Sequence, residues 1–248
     1  MTSCLNTFSI VARCDETGEL GAAVATAVPA VGAICLYLAP QTGAISTQSW
    51  VNPYLAIDIL ERLEAGVAAD VALARVLDED PSAALRQVGV IGLTGQPAAW
   101  SGSDCTSWFG HRVGDDYTVQ GNMLTGPEVI EAMEEAFRRS ADEPLEERLL
   151  RALEGAQSVG GDKRGRQSAA VKVMGREIYA RVDLRVDEHP DPIGELRRIA
   201  EVARLQLAPF IAGMPKRDAE ATAAPDAVVE MLSKSPPRRP GGGGSEIP

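Results

Sequence analysis

Apolar and polar positions alternate in blocks along this chain, and the period changes from block to block. Thr7 to Ala12 (TFSIVA) carries β-branched and aromatic residues, and Ala22 to Val28 (AAVATAV) is nearly all small and apolar. The polar, glycine-containing run Asp15 to Gly21 separates them, which predicts a β-hairpin. Val31 to Leu38 and Gly43 to Ser49 read as two further strands. Because these runs are almost continuously apolar, the strands are expected to be covered on both faces.

The period then becomes helical. Pro53 suits a first helical position, Leu55, Ile59, Leu60 and Leu63 follow at helical spacing, and Gly66 ends the run. A second helix is predicted over Val71 to Leu77, and a strand over Gln87 to Leu93. Residues 94–126 are rich in Gly, Ser and Asp and predict short strands joined by structured loops. Helices follow over Pro127 to Arg138 and Pro144 to Ala156, strands over Ser168 to Met174 and Tyr179 to Val186, and a last long helix over Ile193 to Leu207. A short helix is expected at Ala224 to Leu232. The expected organisation is a segment of residues 1–6, a domain over 7–208 and an extension over 209–248, with 233–248 low in complexity and expected to be disordered. Strands and helices grouped in blocks point to an α+β fold.

Composition narrows the classes. Hydrophobic residues make up 45% and charged residues 24%, as in ordinary globular proteins, while aromatics are only 4%. A net charge of −11 argues against a general nucleic-acid partner, which would need a basic surface. There is no run of 18 apolar residues and no export signal, so a cytoplasmic protein without a membrane partner is expected. The four cysteines, Cys4, Cys14, Cys35 and Cys105, show no metal-ligand spacing and read as reduced thiols. No metal and no cofactor is called for.

Several segments together resemble the domain of unknown function 1028 family, grouped with the Ntn hydrolases: TFSIVAR (7–13), TGELG (17–21), STQSWVNP (46–53), RQVGVIG (86–92), CTSWFGH (105–111), QGNMLTGPEV (120–129), GGDKRGRQSAA (160–170) and DLRVDEHPDPIGELRR (183–198). The resemblance implies a four-layer αββα sandwich of the Ntn-hydrolase type and a threonine nucleophile, for which Thr7 is the candidate. Two departures accompany it. Six residues precede Thr7, and Ala27 stands where many relatives carry a basic residue.

Chemistry supports Thr7 independently. A threonine hydroxyl needs an adjacent base. An α-amine on the same residue, with a pKa of about 7.7–8, titrates near working pH, but only if residues 1–6 are removed. A strand-initial Thr7 is expected to be accessible at one end of the sheets; it reads equally as the ordinary first residue of a strand.

Further candidates are Ser46, Thr47 and Gln48 at a strand end and Asn122 beside a glycine, as donors to a substrate or oxyanion. His111, one of two histidines, could orient a substrate or serve a turn. Asp162, Arg164 and Arg166 could bind an anionic substrate group, or could form an ion-paired loop. His189 is expected to fix the turn before the last helix. The favoured reading is an amidohydrolase acting on a small amide. The alternative is a non-catalytic scaffold that binds a small ligand, and a homo-oligomer is expected in either case.

Overall fold

The computed structural model describes residues 7–220 and 223–235. The chain divides into two units, residues 1–199 and 200–248. In the first, ten strands form two antiparallel sheets. Strands β1 (Thr7–Cys14), β2 (Glu19–Thr26), β7 (Gly110–Val113), β8 (Tyr117–Asn122), β9 (Ser168–Met174) and β10 (Ala180–Val186) make a six-stranded sheet in the order β10-β9-β2-β1-β8-β7. Strands β3 (Leu36–Ala39), β4 (Gly43–Ser49), β5 (Arg86–Gly92) and β6 (Ala98–Ser101) make a four-stranded sheet in sequence order.

Each sheet buries one face under two helices. Helices α1 (Pro53–Glu64) and α2 (Ala69–Glu79) cover the smaller sheet, where Leu55, Ile59, Leu73 and Val76 meet Ile45, Val88 and Val90. Helices α3 (Glu128–Arg139) and α4 (Leu145–Ser158) lie on β1, β2, β8 and β9 of the larger one. The first helix starts as its sequence dictates, with Pro53 at its first position and the Asn52 side chain accepting the Tyr54 N–H at 3.1 Å. On α3, Phe137 sits against Tyr117 at 5.1 Å between ring centroids and beneath the Arg148 guanidinium at 3.9 Å. Helix α5 (Pro192–Gln206) begins beside α4, where Arg197 pairs with Glu154 at 2.7 Å.

The remaining faces of the two sheets are turned toward each other. Because side chains alternate along a strand, β1 sends Phe8, Ile10 and Ala12 to the helices. Thr7, Ser9, Val11 and Arg13 point toward the smaller sheet. The facing layer is apolar in one half, where Val11, Leu20, Ala22 and Val24 meet Ala44, Ile91 and Leu36. It is polar in the other, around Ser9. The near-continuous apolar character of TFSIVA and AAVAT therefore reflects burial on both faces, as the sequence pattern predicts.

Two expectations need correction. Val31 to Leu38 is not one strand: a 3-10 turn occupies Val31–Ala33 and β3 starts only at Leu36. Ala30 stands in the left-handed region at φ 55°, its N–H donates to Asp187 O, and the Val31 N–H donates to Ser168 Oγ. These bonds take the donors that a strand would have used. The second strand is displaced likewise, running Glu19–Thr26 rather than from Ala22 to Val28. It begins earlier because Glu19 pairs with Cys14, and stops because the Ala27 N–H is taken by Asp162 Oδ2.

In the second unit, beyond the end of α5, lie two short helices in contact with each other, α6 (Ala208–Gly213) and α7 (Asp226–Leu232). The expected leader (1–6) and most of the expected disordered tail (236–248) lie outside the described residues.

The polar half of the facing layer leaves no room for extra atoms. A Cβ at Gly89 would fall inside contact distance of the Gln120 amide and the Thr118 hydroxyl, both fully buried. Gly89→Ala is expected to destabilise the protein by about 1–3 kcal/mol. Gly18→Ala, where no atom stands near the new Cβ, carries only the strain of its φ of 70° and is expected to lose less. Urea unfolding of the two variants checks the order.

Candidate active site

The chemistry-bearing residues gather at the end of the larger sheet where β1 begins. Thr7 pairs across β1 with Thr26 on one side and Asn122 on the other. Directly opposed residues share a face with their Cβ atoms about 4.5–5.5 Å apart, so all three side chains enter the layer between the sheets. Thr7 Oγ1 lies 3.4 Å from Thr26 Oγ1. The smaller sheet supplies Gln48, whose Nε2 donates to Thr7 O at 3.3 Å.

Beyond this trio the layer is a closed hydrogen-bond network. Ser9 Oγ donates to Gln48 Oε1 at 2.6 Å and accepts from Ser46 Oγ at 2.9 Å and Gln120 Nε2 at 2.7 Å. Gln87 Oε1 accepts from Gln48 Nε2 at 2.8 Å and Asn122 Nδ2 at 3.0 Å. Gln87 Nε2 faces Ser101 Oγ at 2.7 Å, Gly110 O at 3.1 Å and Gly121 O at 2.8 Å. Thr7, Ser9, Ser46, Gln48, Gln87, Gln120 and Asn122 are all 0% exposed. Satisfied polar groups at that depth are tolerated because each exchanges its water for a partner.

Four loops close around this end. Met123 N donates to Thr106 O at 2.8 Å and Leu124 N to Trp108 O at 2.9 Å, joining the CTSWFGH and QGNMLTG segments. The GGDKRGRQS segment joins them through a Lys163 N–H to Met123 O at 3.2 Å, and meets β2 through Gln167 N to Thr26 O at 2.8 Å. β4 ends here at Ser49, a non-glycine residue at φ 67° whose hydroxyl is buried without a partner. Trp50 follows, half exposed.

The sequence-predicted candidates divide accordingly. Ser46, Gln48 and Asn122 reach the layer containing Thr7. Thr47 does not: strand alternation turns it to the other face, where its hydroxyl donates to Asn52 O at 3.4 Å. Three consecutive strand residues cannot all face one site. Asn122 Nδ2 is engaged by Gln87, and its Oδ1 is a buried oxygen without a hydrogen bond. His111, opposite Gln120 on β7, lies at the sheet margin with Nδ1 2.9 Å from Ser101 Oγ, and partial burial holds its pKa below the ordinary 6.5.

Asp162 is buried and acts in the framework. It accepts from Ala27 N at 3.1 Å and Arg164 N at 2.9 Å, and pairs with the Arg164 guanidinium at 3.1 Å. Arg166 pairs with Asp191 at 3.2 Å, and His189 Nδ1 accepts the Asp191 N–H at 3.0 Å, fixing the turn before α5. Arg13 stands at the far end of β1, six residues or about 20 Å from Thr7, paired with Asp15 at 2.7 Å.

The expectation that Thr7 is accessible is overturned. Thr7 is fully buried, because β1 is a central strand with neighbours on both sides and a second sheet across it. The pattern also held residues not singled out: Ser9, Gln87, Thr118 and Gln120. Their signal is polar residues two apart inside otherwise apolar strands, as in Thr118-Val119-Gln120-Gly121-Asn122. Cys35 is buried and its thiol is pushed up to about 12, so it behaves as a small apolar side chain. Among the described residues no group of three or more His, Cys, Asp or Glu could hold a metal ion, and no helix is long and apolar enough to cross a membrane. Two cavities, of about 530 Å³ beside Arg112 and Glu134 and about 450 Å³ beside Arg13 and Arg176, do not reach Thr7.

Two facing antiparallel sheets, helices packed on each, and a buried polar cluster at the start of a central strand define the class of this α+β protein. The chain belongs to the family of unknown function DUF1028, whose model matches residues 7–196. It is similar to protein SPO2555 from Silicibacter pomeroyi, whose crystal structure is assigned to the same family. Identity is 33%, 85% of this chain and 95% of that one are covered, and the TM-score is 0.78. Anbu, the ancestral β-subunit from Yersinia bercovieri, aligns at 14% identity over 86% of this chain and 100% of that one, with a TM-score of 0.41. No curated protein matches.

Two outcomes follow from this geometry. Gln87→Leu removes the acceptor of the Asn122 amide and the donor that meets the Gly110 and Gly121 carbonyls, and is expected to lower stability by about 1–3 kcal/mol in urea unfolding. His111 has a folded pKa below its unfolded one, so its stabilisation is present above pH 6.5 and is lost as pH falls through the folded value. Between about pH 7.5 and about pH 5 the wild-type protein should therefore lose more stability than His111→Gln.

Proposed function

We propose that the two sheets and their helices form the four-layer αββα sandwich of the Ntn-hydrolase type, and that the protein is an amide hydrolase whose nucleophile is Thr7, exposed as the N-terminal residue by removal of residues 1–6. The observation that carries this reading is the position of Thr7. It is the first residue of a central strand, its side chain points into the layer between the sheets, and four loops from separated sequence segments close around it. The family match also begins at residue 7.

In the proposed reaction the Thr7 α-amine, neutral near its reference pKa of about 7.7–8, takes the hydroxyl proton as Oγ1 attacks the amide carbonyl. The same proton passes to the departing amine as the C–N bond breaks, leaving an ester on Thr7. Water, deprotonated by the α-amine, then releases the acid and restores the hydroxyl. Cations at this end are already held by the fold: Arg164 by Asp162 and Lys163 by Ser107 O at 2.8 Å. An amine base on the nucleophile itself removes the need for one at Ala27.

A second reading, a non-catalytic scaffold for a small ligand, is favoured by the complete burial of Thr7 and the saturation of the network beyond it. Intact-mass analysis of the native protein separates the two. Under the hydrolase reading the chain begins at Thr7, and a β-lactone acylating agent adds one acyl group, confined to the N-terminal peptide. Thr7→Ser is expected to retain acylation, while Thr7→Ala loses it and slows amide hydrolysis by roughly three orders of magnitude or more. A native chain that keeps residues before Thr7 would sink the hydrolase reading.

A further inference from the structure

The Asn122 side chain carries an inference that rests on the Thr7 reading and goes a step deeper. Its amide is oriented by groups that cannot turn around. Gly110 O and Gly121 O are backbone carbonyls and can only accept, so the Gln87 nitrogen faces them at 3.1 Å and 2.8 Å. Gln87 Oε1 therefore faces the other way, toward Gln48 Nε2 and Asn122. Asn122 must offer its nitrogen to that oxygen, as it does at 3.0 Å. Its own Oδ1 is consequently turned away from Gln87, buried and without a hydrogen bond. A fully buried acceptor left unpaired costs free energy that natural proteins seldom leave uncompensated.

The residue directly opposite is Thr7, whose side chain enters the same face. In the uncut chain the Thr7 nitrogen is a peptide nitrogen with a single N–H. Cleavage before Thr7 turns it into an amine with two or three. We propose that Asn122 is the positioning residue for the Thr7 α-amine: its Oδ1 accepts a hydrogen bond from the released amine and holds that nitrogen beside Oγ1. Asn122 is thus assigned as an acceptor for the base: its nitrogen already donates to Gln87, and its oxygen is the atom left without a partner. The chain from Gly110 and Gly121 through Gln87 to Asn122 is then a framework for orienting the general base. It has a chemical consequence. An acceptor stabilises the ammonium form, so the amine pKa depends on what stands at position 122.

The test uses the chain freed to begin at Thr7 by cutting a removable fusion partner placed directly before it. The α-amine pKa is read from the Thr7 ¹³Cβ shift of threonine-labelled protein across a pH titration. Asn122→Leu removes the acceptor, yet leaves Gln87 Oε1 its bond from Gln48, and should lower the pKa. Asn122→Asp places a carboxylate beside the ammonium and should raise it by about one unit or more. Where hydrolysis is measurable, the acid limb of the pH–rate profile should move in the same order. Coincident pKa values in three folded chains overturn the proposal. If either variant fails to fold, a crystal structure of the wild-type chain starting at Thr7 decides. An α-nitrogen within about 3.2 Å of Asn122 Oδ1 upholds the contact, and one beyond about 3.5 Å overturns it. Failure of the Thr7 reading shows separately, as a Thr7→Ala protein that still hydrolyses amides. Failure of the Asn122 role shows as a working Thr7 whose amine does not respond to position 122.

Discussion

The Gln87 side chain is the contact on which the polar end of this protein depends. It is a single amide, placed by β5 of the smaller sheet, that reaches into the larger sheet and meets the Gly110 and Gly121 carbonyls of β7 and β8. Its oxygen collects Gln48 and Asn122. A facing layer built only of aliphatic side chains can slide by small amounts at little cost, since hydrophobic burial has no direction. A buried amide whose donors and acceptors are all committed cannot, because each shift strands a polar group in a medium of low dielectric. The apolar half, from Val11 to Ile91, supplies cohesion, and the polar half fixes registration.

That division explains the scarcity of aromatic residues. Gly89 has to be a glycine for Gln120 and Thr118 to close over it, and Ala44, Ala22 and Ala170 keep the other half thin. Large side chains are instead sent to the outer faces, where Phe8, Phe137 and Tyr117 fill the space beneath α3 and α4. Close approach of the sheets lets the short side chains of Ser9 and Ser46 bond directly across the gap at 2.9 Å.

The same arrangement fixes Thr7. Its hydroxyl is met by Thr26 and its carbonyl by Gln48. It is also shut away from solvent. Asp162 and Arg164 tie the loop 160–168 to the end of β2 at Ala27, in the ion-paired arrangement that was one of the two expectations for this segment. Asn122, directly opposite Thr7, carries a buried side-chain oxygen without a hydrogen bond.

The sequence by itself determined the α+β class, most of the elements, and the segments that would matter. Periodicity in runs such as TFSIVA or VIEAMEEAF depends on neighbours within a few residues, and so does the start of α1 at Asn52 and Pro53. It determined less well where local signals compete with distant partners. Ala30 and Val31 leave the strand because Asp187 and Ser168, more than a hundred residues away, take their N–H groups. Only the tertiary structure decided that Thr47 faces away from Thr7 and that Thr7 is buried. It also decided that Arg13 is a whole strand-length distant, and that Gln87 and Gln120, unremarkable in sequence, organise the site. Those facts follow from which strands pair and which sheet faces which, and hydrogen bonds between residues tens of positions apart leave no periodicity for the sequence to display.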